Sequence, residues 1–249
     1  MIPSPKPQSV NWRAVTVFYF LACLWSWPFF WWRDVHTASW NAWHLPEEIK
    51  GLTQPWGPAL AALAVFYLFP KVRTRSVSLL GGSWKRSAAA FLTPILFATV
   101  AASRQSGHLT WKLIYYLIMG GFSTLGEEIG WRGFLQPALR PLGRVRGYLL
   151  LAFLWELWHF TSHTKGTWHD VVSRMEIIIP AIVVITFALG FLTEHTGSIV
   201  LATAVHEWID LASDAGGYFL WAALATVPIW LWLAWTWPHR MGRNSDTEP

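Results

Sequence analysis

Glu127, Glu128 and Arg132 stand within Gly126-Glu127-Glu128-Ile129-Gly130-Trp131-Arg132-Gly133-Phe134-Leu135-Gln136-Pro137, in a chain that is otherwise mostly apolar. Glu128 and Arg132 are four apart, so on a helix they share a face, with the acid on the favourable N-terminal side. Glu127 lies roughly 100° around, at ~3.6 residues per turn, and is left without that partner. Farther on, Glu156 and His159 are three apart, and His206 and Asp210 are four apart. Each of those pairs also shares a helix face. A carboxylate and a histidine beside water can deprotonate that water and return the proton to a leaving group. A second histidine with a polar residue one turn on can donate to a developing oxyanion. No Ser or Cys is evidently paired with these histidines, so hydrolysis by activated water fits better than a covalent intermediate. The rival is zinc: Glu127, His159, His206 and Asp210 form a possible His₂-carboxylate set. His206-Glu207-Trp208-Ile209-Asp210 even looks like HExxH, but Asp in the last place removes a ligand. The direct glutamate route is preferred, with no cofactor.

The elements that hold these residues are read from composition. Of 249 residues, 53% are hydrophobic, 20 are Trp and only 13% are charged, about half the usual ~25% charge of a soluble domain. The apolar residues fall in blocks of bilayer-crossing length, with no period-2 alternation of the barrel kind. This predicts an all-α, polytopic transmembrane helical bundle. The blocks are Ala14–Trp32, Pro55–Phe69, Ala88–Ala102, Trp111–Pro137, Tyr148–Thr161, Ile177–Leu192, Ser198–Leu211 and Gly217–Trp237. That is eight spans, or seven if the second or third block is interfacial. The first block is long and lacks a small-residue cleavage site, so it reads as a retained span and not a signal peptide. Placing both termini inside puts 13 of the 19 Lys and Arg on the inner side, as the positive-inside rule requires. The net charge of +5 then needs no nucleic-acid partner. The single Cys23 excludes a disulfide framework and a cysteine metal site. Trp clusters near the span ends fit interfacial anchoring. No repeat or linker interrupts residues 1–249, which read as one domain.

Depth relates the polar residues to one another. At ~1.5 Å per residue, Glu127 is roughly 15 Å from the inner end of its span, His159 about 18 Å and His206 about 12 Å. Three spans thus carry an acid and two imidazoles at similar depth, and one cavity open to the cytoplasm would explain all three. Polar side chains acting only as glue between helices need not share a depth. Gly126 and Gly130, four apart, let a neighbouring helix approach closely. The remaining histidines fall in loops or at span ends and read as surface residues.

Taken in order, Glu127-Glu128-x-x-x-Arg132, Trp155-x-x-x-His159 and His206-x-x-x-Asp210 resemble the CAAX-protease and bacteriocin-processing family, CPBP or Abi, whose motifs are EExxxR, FxxxH and HxxxN. The likeness covers Leu125 to about Asp210, within a core of about 111–213. It implies an eight-helix intramembrane endopeptidase with a site facing the cytoplasm. Glu127 and His159 would activate the water, while His206 and the residue at 210 would form the oxyanion pocket. Arg132 would support the glutamates. Many family members are described as metalloproteases. The implied substrate is a prenylated CAAX-type protein or a leader peptide, met together with membrane lipid in the cell membrane of a prokaryote. Two positions depart from the pattern. Trp155 for Phe is conservative in bulk. Asp210 for Asn matters more, because an ionised Asp repels an oxyanion to which Asn would donate. Asp210 could stay protonated, orient His206, bind a metal, or mark impaired proteolysis. Two other classes remain: a non-catalytic immunity or scaffold protein that binds a peptide in the same cavity, and a transporter. The transporter lacks the usual repeat or broken-helix pair.

Overall fold

The computed structural model of the chain describes residues 9–35, 53–72, 76–106, 111–163 and 167–238. Among these residues the long elements are all helices: α1 (Trp12–Val35), α2 (Gly57–Leu68), α3 (Trp84–Ser106), α4 (Trp111–Gly130), α5 (Arg144–His163), α6 (Trp168–Thr196), α7 (Ile199–Ala215) and α8 (Gly217–Trp235). The sole β contact among them is an isolated bridge between Ser78 and Ser198. Each apolar block read from the sequence overlaps one of these helices, and the fourth, Trp111–Pro137, runs on past the end of α4.

Three segments, Trp84–Gln105, Trp168–Thr196 and Gly217–Trp235, are long and apolar enough to cross a membrane. They carry large apolar side chains on their outer faces, among them Leu92, Leu96, Ile177, Val184, Trp221 and Leu224. A water-facing surface does not sustain that much exposed hydrocarbon, whereas lipid does. The polar chemistry lies elsewhere. α2 and α7 are shorter, at 12 and 17 residues, and α4, α5 and α7 carry the acids and imidazoles singled out above. Lys6, Lys50, Arg73, Arg75, Lys165, Arg240 and Arg243, which enter the orientation count, lie outside the described residues. So do His36, His44, His108, His239 and the Glu47–Glu48 pair.

The chain divides into two compact units: residues 1–76 with 118–190, and residues 77–117 with 191–249. α4 and α6 each begin in one unit and end in the other. In the first unit α1 packs against α2 and α5. The end of α4 seats on the start of α2. A Cβ on Gly126 would stand 2.8 Å from the Pro55 carbonyl oxygen, and one on Gly130 would overlap Pro58. The small-residue spacing therefore does what its pattern implies: two backbones touch where any side chain would hold them apart. Past Gly130 the chain makes a π-helical turn, Trp131–Leu135, and then a short helix, Gln136–Leu139. Such turns widen a helix locally and recur at functional sites.

In the second unit α3 packs against α7 and α8, and α7 against α8. Ser198 caps α7 by accepting from the Leu201 N–H at 3.2 Å. Thr226 on α8 receives the indole N–H groups of Trp208 at 3.1 Å and Trp230 at 2.9 Å. This fixes the rotation of α7, and with it where His206 points.

One boundary departs clearly from expectation. α6 begins at Trp168, well before Ile177. Thr167 and Asp170 cap its start reciprocally: the Thr167 N–H donates to Asp170 Oδ2 at 2.9 Å, and the Asp170 N–H to the Thr167 hydroxyl at 3.3 Å. Hydropathy misses such a polar first turn, whereas the Thr-x-x-Asp spacing records it.

Candidate active site

The first unit holds the acids. Glu128 and Arg132 are fully buried, with Arg132 Nη1 donating to Glu128 Oε1 at 2.9 Å. The i,i+4 spacing survives because the π turn opens only at Trp131, leaving the turn between the two residues close to helical. A buried pair of this kind contributes little net stability while intact, but removing one partner strands the other charge. The rest of the guanidinium meets an aromatic face, since Arg132 Cζ lies 4.4 Å from the centroid of the Trp155 ring.

Glu127 lies roughly 100° around the helix from Glu128. Its expected lack of a partner is corrected by the structure. The Trp155 indole N–H donates to Glu127 Oε2 at 3.0 Å. On the same carboxylate oxygen, His159 Nε2 stands 4.0 Å away. Thus the acid of the first motif and the imidazole of the second are brought together. His159 Nδ1 lies 3.1 Å from the Trp155 backbone oxygen. A carbonyl oxygen can only accept, so that bond puts the proton of a neutral imidazole on Nδ1 and leaves the Nε2 lone pair towards Glu127. One water could touch both acceptors across a 4.0 Å separation. The ring is held further by Trp158, edge-on with centroids 4.6 Å apart. Trp158 packs on Trp131 at 5.7 Å, and Trp131 on Phe18 at 5.5 Å. An aromatic wall therefore backs the pair.

Glu156 is placed differently. It lines a separate cavity of about 290 Å³ between α5 and α6, with Phe153, Phe160, Met175, Ile179 and Ile182. On α5, His159 Nδ1 meets the backbone oxygen of Trp155, four back. The sequence reading weighed Trp155 by bulk alone. The available signal was that a Trp in a Phe position brings a hydrogen-bond donor, one turn before the histidine.

The second unit holds the other pair. His206 is buried, and its Nε2 lies 3.4 Å from Asp210 Oδ2, whose side chain is 56% exposed. Nε2 is thereby directed at an acceptor, which is the orienting arrangement among the possibilities for Asp210. Among the described residues no group of three or more His, Cys, Asp and Glu side chains is placed to hold a metal ion.

These features define a class: a helical protein with apolar spans and a braced Glu–His pair on its polar helices. Residues 107–212 match the family model described as type II CAAX prenyl endopeptidase Rce1-like. The resemblance to the CAAX-protease and bacteriocin-processing family is borne out over that stretch, which includes Glu127, Glu128, Arg132, Trp155, His159, His206 and Asp210. No curated protein and no solved structure matches the chain.

Proposed function

We propose that the chain is an intramembrane endopeptidase that hydrolyses a peptide bond with a water activated by Glu127 and His159. The observation that carries this reading is the 4.0 Å approach of His159 Nε2 to Glu127 Oε2, with both groups held by Trp155. A water between them donates a hydrogen bond to each, and one of the two removes its proton as the oxygen attacks the carbonyl carbon. That proton then goes to the leaving amine. His206 has the role of oxyanion donor. Its Nε2–H rests on Asp210, so a doubly protonated ring still has Nδ1–H to offer the developing charge. In this reading Asp210 accepts where the motif's Asn would donate, and the burden of donation falls on His206. The substrate is a prenylated CAAX-type or leader-type peptide met at the membrane, and no metal takes part. In this reading Glu127 and His159 act from the cytoplasmic side of the membrane.

The test is cleavage of a panel of farnesylated and unprenylated peptides by the purified protein in lipid nanodiscs. Wild type cleaves at least one class, chelators leave the rate unchanged, and Glu127→Ala lowers kcat by about 10³-fold, within the usual range for loss of a general base. Full activity in Glu127→Ala, or cleavage abolished by chelation and restored by zinc, overturns the mechanism. A wild-type protein that cleaves none of the panel, while binding peptides, favours the non-catalytic binding protein.

A further inference from the structure

Three residues of the first unit, two from the first sequence motif and one from the second, converge on one residue. Trp155, only 2% exposed, gives its indole N–H to Glu127 Oε2 at 3.0 Å. Its ring face lies under the Arg132 guanidinium at 4.4 Å, and its backbone oxygen takes His159 Nδ1 at 3.1 Å. We propose that Trp155 is a positioning residue: its indole N–H holds the Glu127 carboxylate at the distance from His159 that the attacking water needs. The proposal rests on the endopeptidase reading of Glu127 and goes beyond it, because the family motif has Phe at this place and Phe has no such donor.

The three contacts differ in what a substitution would remove. Any residue on the helix supplies the backbone oxygen, so the tautomer of His159 does not depend on the side chain. A benzyl ring keeps an aromatic face for Arg132. Only an indole puts a donor on Glu127 from this direction. Without that bond the carboxylate loses one of the contacts that set its terminal torsion, whose energy well is broad. Oε2 then spends less time near His159, and the reactive arrangement becomes one of several. A hydrogen bond to a charged acceptor is among the stronger ones, so the bias it imposes is large enough to be read in a rate.

The decisive variant removes the N–H and nothing else. Replacing Trp155 by 3-benzothienylalanine, which puts sulfur in place of the indole N–H, preserves the ring area over Arg132. Assayed in nanodiscs against an internally quenched farnesylated CAAX-type peptide, this variant and Trp155→Phe are both expected to lose about tenfold in kcat. KM is expected to stay within about twofold, since a group acting on the base and not on the substrate leaves uniform binding untouched. Wild-type kcat in the benzothienyl protein overturns the proposal, as does a loss confined to KM. Failure here with Glu127→Ala still inactive leaves the endopeptidase reading standing. A fully active Glu127→Ala, or a wild type that cleaves no peptide, overturns both. Should Trp155→Phe fold poorly, thermal unfolding of the benzothienyl protein supplies a second measure. Its melting temperature falls below that of wild type, and the same replacement within Glu127→Ala gives no further fall. Equal falls in both backgrounds overturn the hydrogen bond itself.

Discussion

Glu127 and Asp210 are both carboxylates within reach of an imidazole, yet their surroundings are opposite. The Glu127 side chain is 12% exposed and that of Asp210 is 56% exposed. Around Glu127, two glycines bring α2 against α4, an indole donates to the acid, and a buried ion pair stands directly behind it. Around Asp210 it is the histidine that is buried, and the acid reaches outward at the end of the contact. The difference teaches which partner is fixed in each pair. In the first, the structure holds the carboxylate. In the second, it holds the imidazole, and the acid meets it from a solvated position. Under the proposed mechanism that is the difference between a base, which must be placed, and an acceptor that only steadies a ring.

If the bracing is real, breaking it should cost more than any change at Asp210. Arg132→Ala removes the guanidinium that Glu128 meets at 2.9 Å in the buried pair and empties the space over Trp155. A loss of about 3–5 kcal/mol is expected from a broken buried pair, read by thermal unfolding in detergent micelles. The pair is not needed for folding as such, so Glu128→Leu combined with Arg132→Leu should recover most of that loss. A single variant that melts within a degree of wild type would remove the bracing argument.

The ion pair was readable in advance, since four residues of helical spacing suffice to place Glu128 under Arg132. So was the helical architecture, because lipid-facing segments announce themselves by unbroken apolar runs. What spacing could not give was orientation across helices. That Glu127 would find an indole, and that Glu156 would line a cavity with residues of α6, depends on how α5 packs in its unit. Trp155 was judged by size because motif comparison treats an aromatic for an aromatic as a match. Its donor atom carries the chemistry, and comparing ring volumes hides it. The first turn of α6 escaped for a related reason: Thr167 and Asp170 are polar, and an apolar scan begins only after them.

A second break acts on the contact between α4 and α2. Gly130→Ala places a methyl group inside Pro58, and two backbones must separate to admit it. Overpacking of this sort costs about 1–3 kcal/mol. Because Glu127 sits less than one turn earlier on the same helix, kcat should fall with the melting temperature. Gly143→Ala is the control, since a Cβ there meets nothing within 4 Å; its own cost is strain from a φ of +83°. Activity that follows stability equally in both variants would mean that the glycine contact has no special hold on Glu127.

The smallest effect is expected at Asp210 itself. Asp210→Asn keeps an oxygen that can accept from His206 Nε2–H, removes the negative charge, and adds an amide that can donate. With so exposed a side chain, solvent screens the ion pair, and its loss should cost no more than about 1 kcal/mol of stability. Two opposed consequences follow for the rate. The imidazole loses the charged acceptor on which its Nε2–H rests, which loosens its orientation. The new amide supplies a donor where a carboxylate would repel the oxyanion. Their partial cancellation predicts a kcat within about tenfold of wild type, the range spanned by one hydrogen bond. Measured beside Glu127→Ala in the same nanodiscs, this substitution decides the contrast between the two acids. A loss as deep as that of Glu127→Ala would mean that Asp210 is itself a reacting group. A gain would mean that the acid at 210 restrains the enzyme and that the amide relieves it.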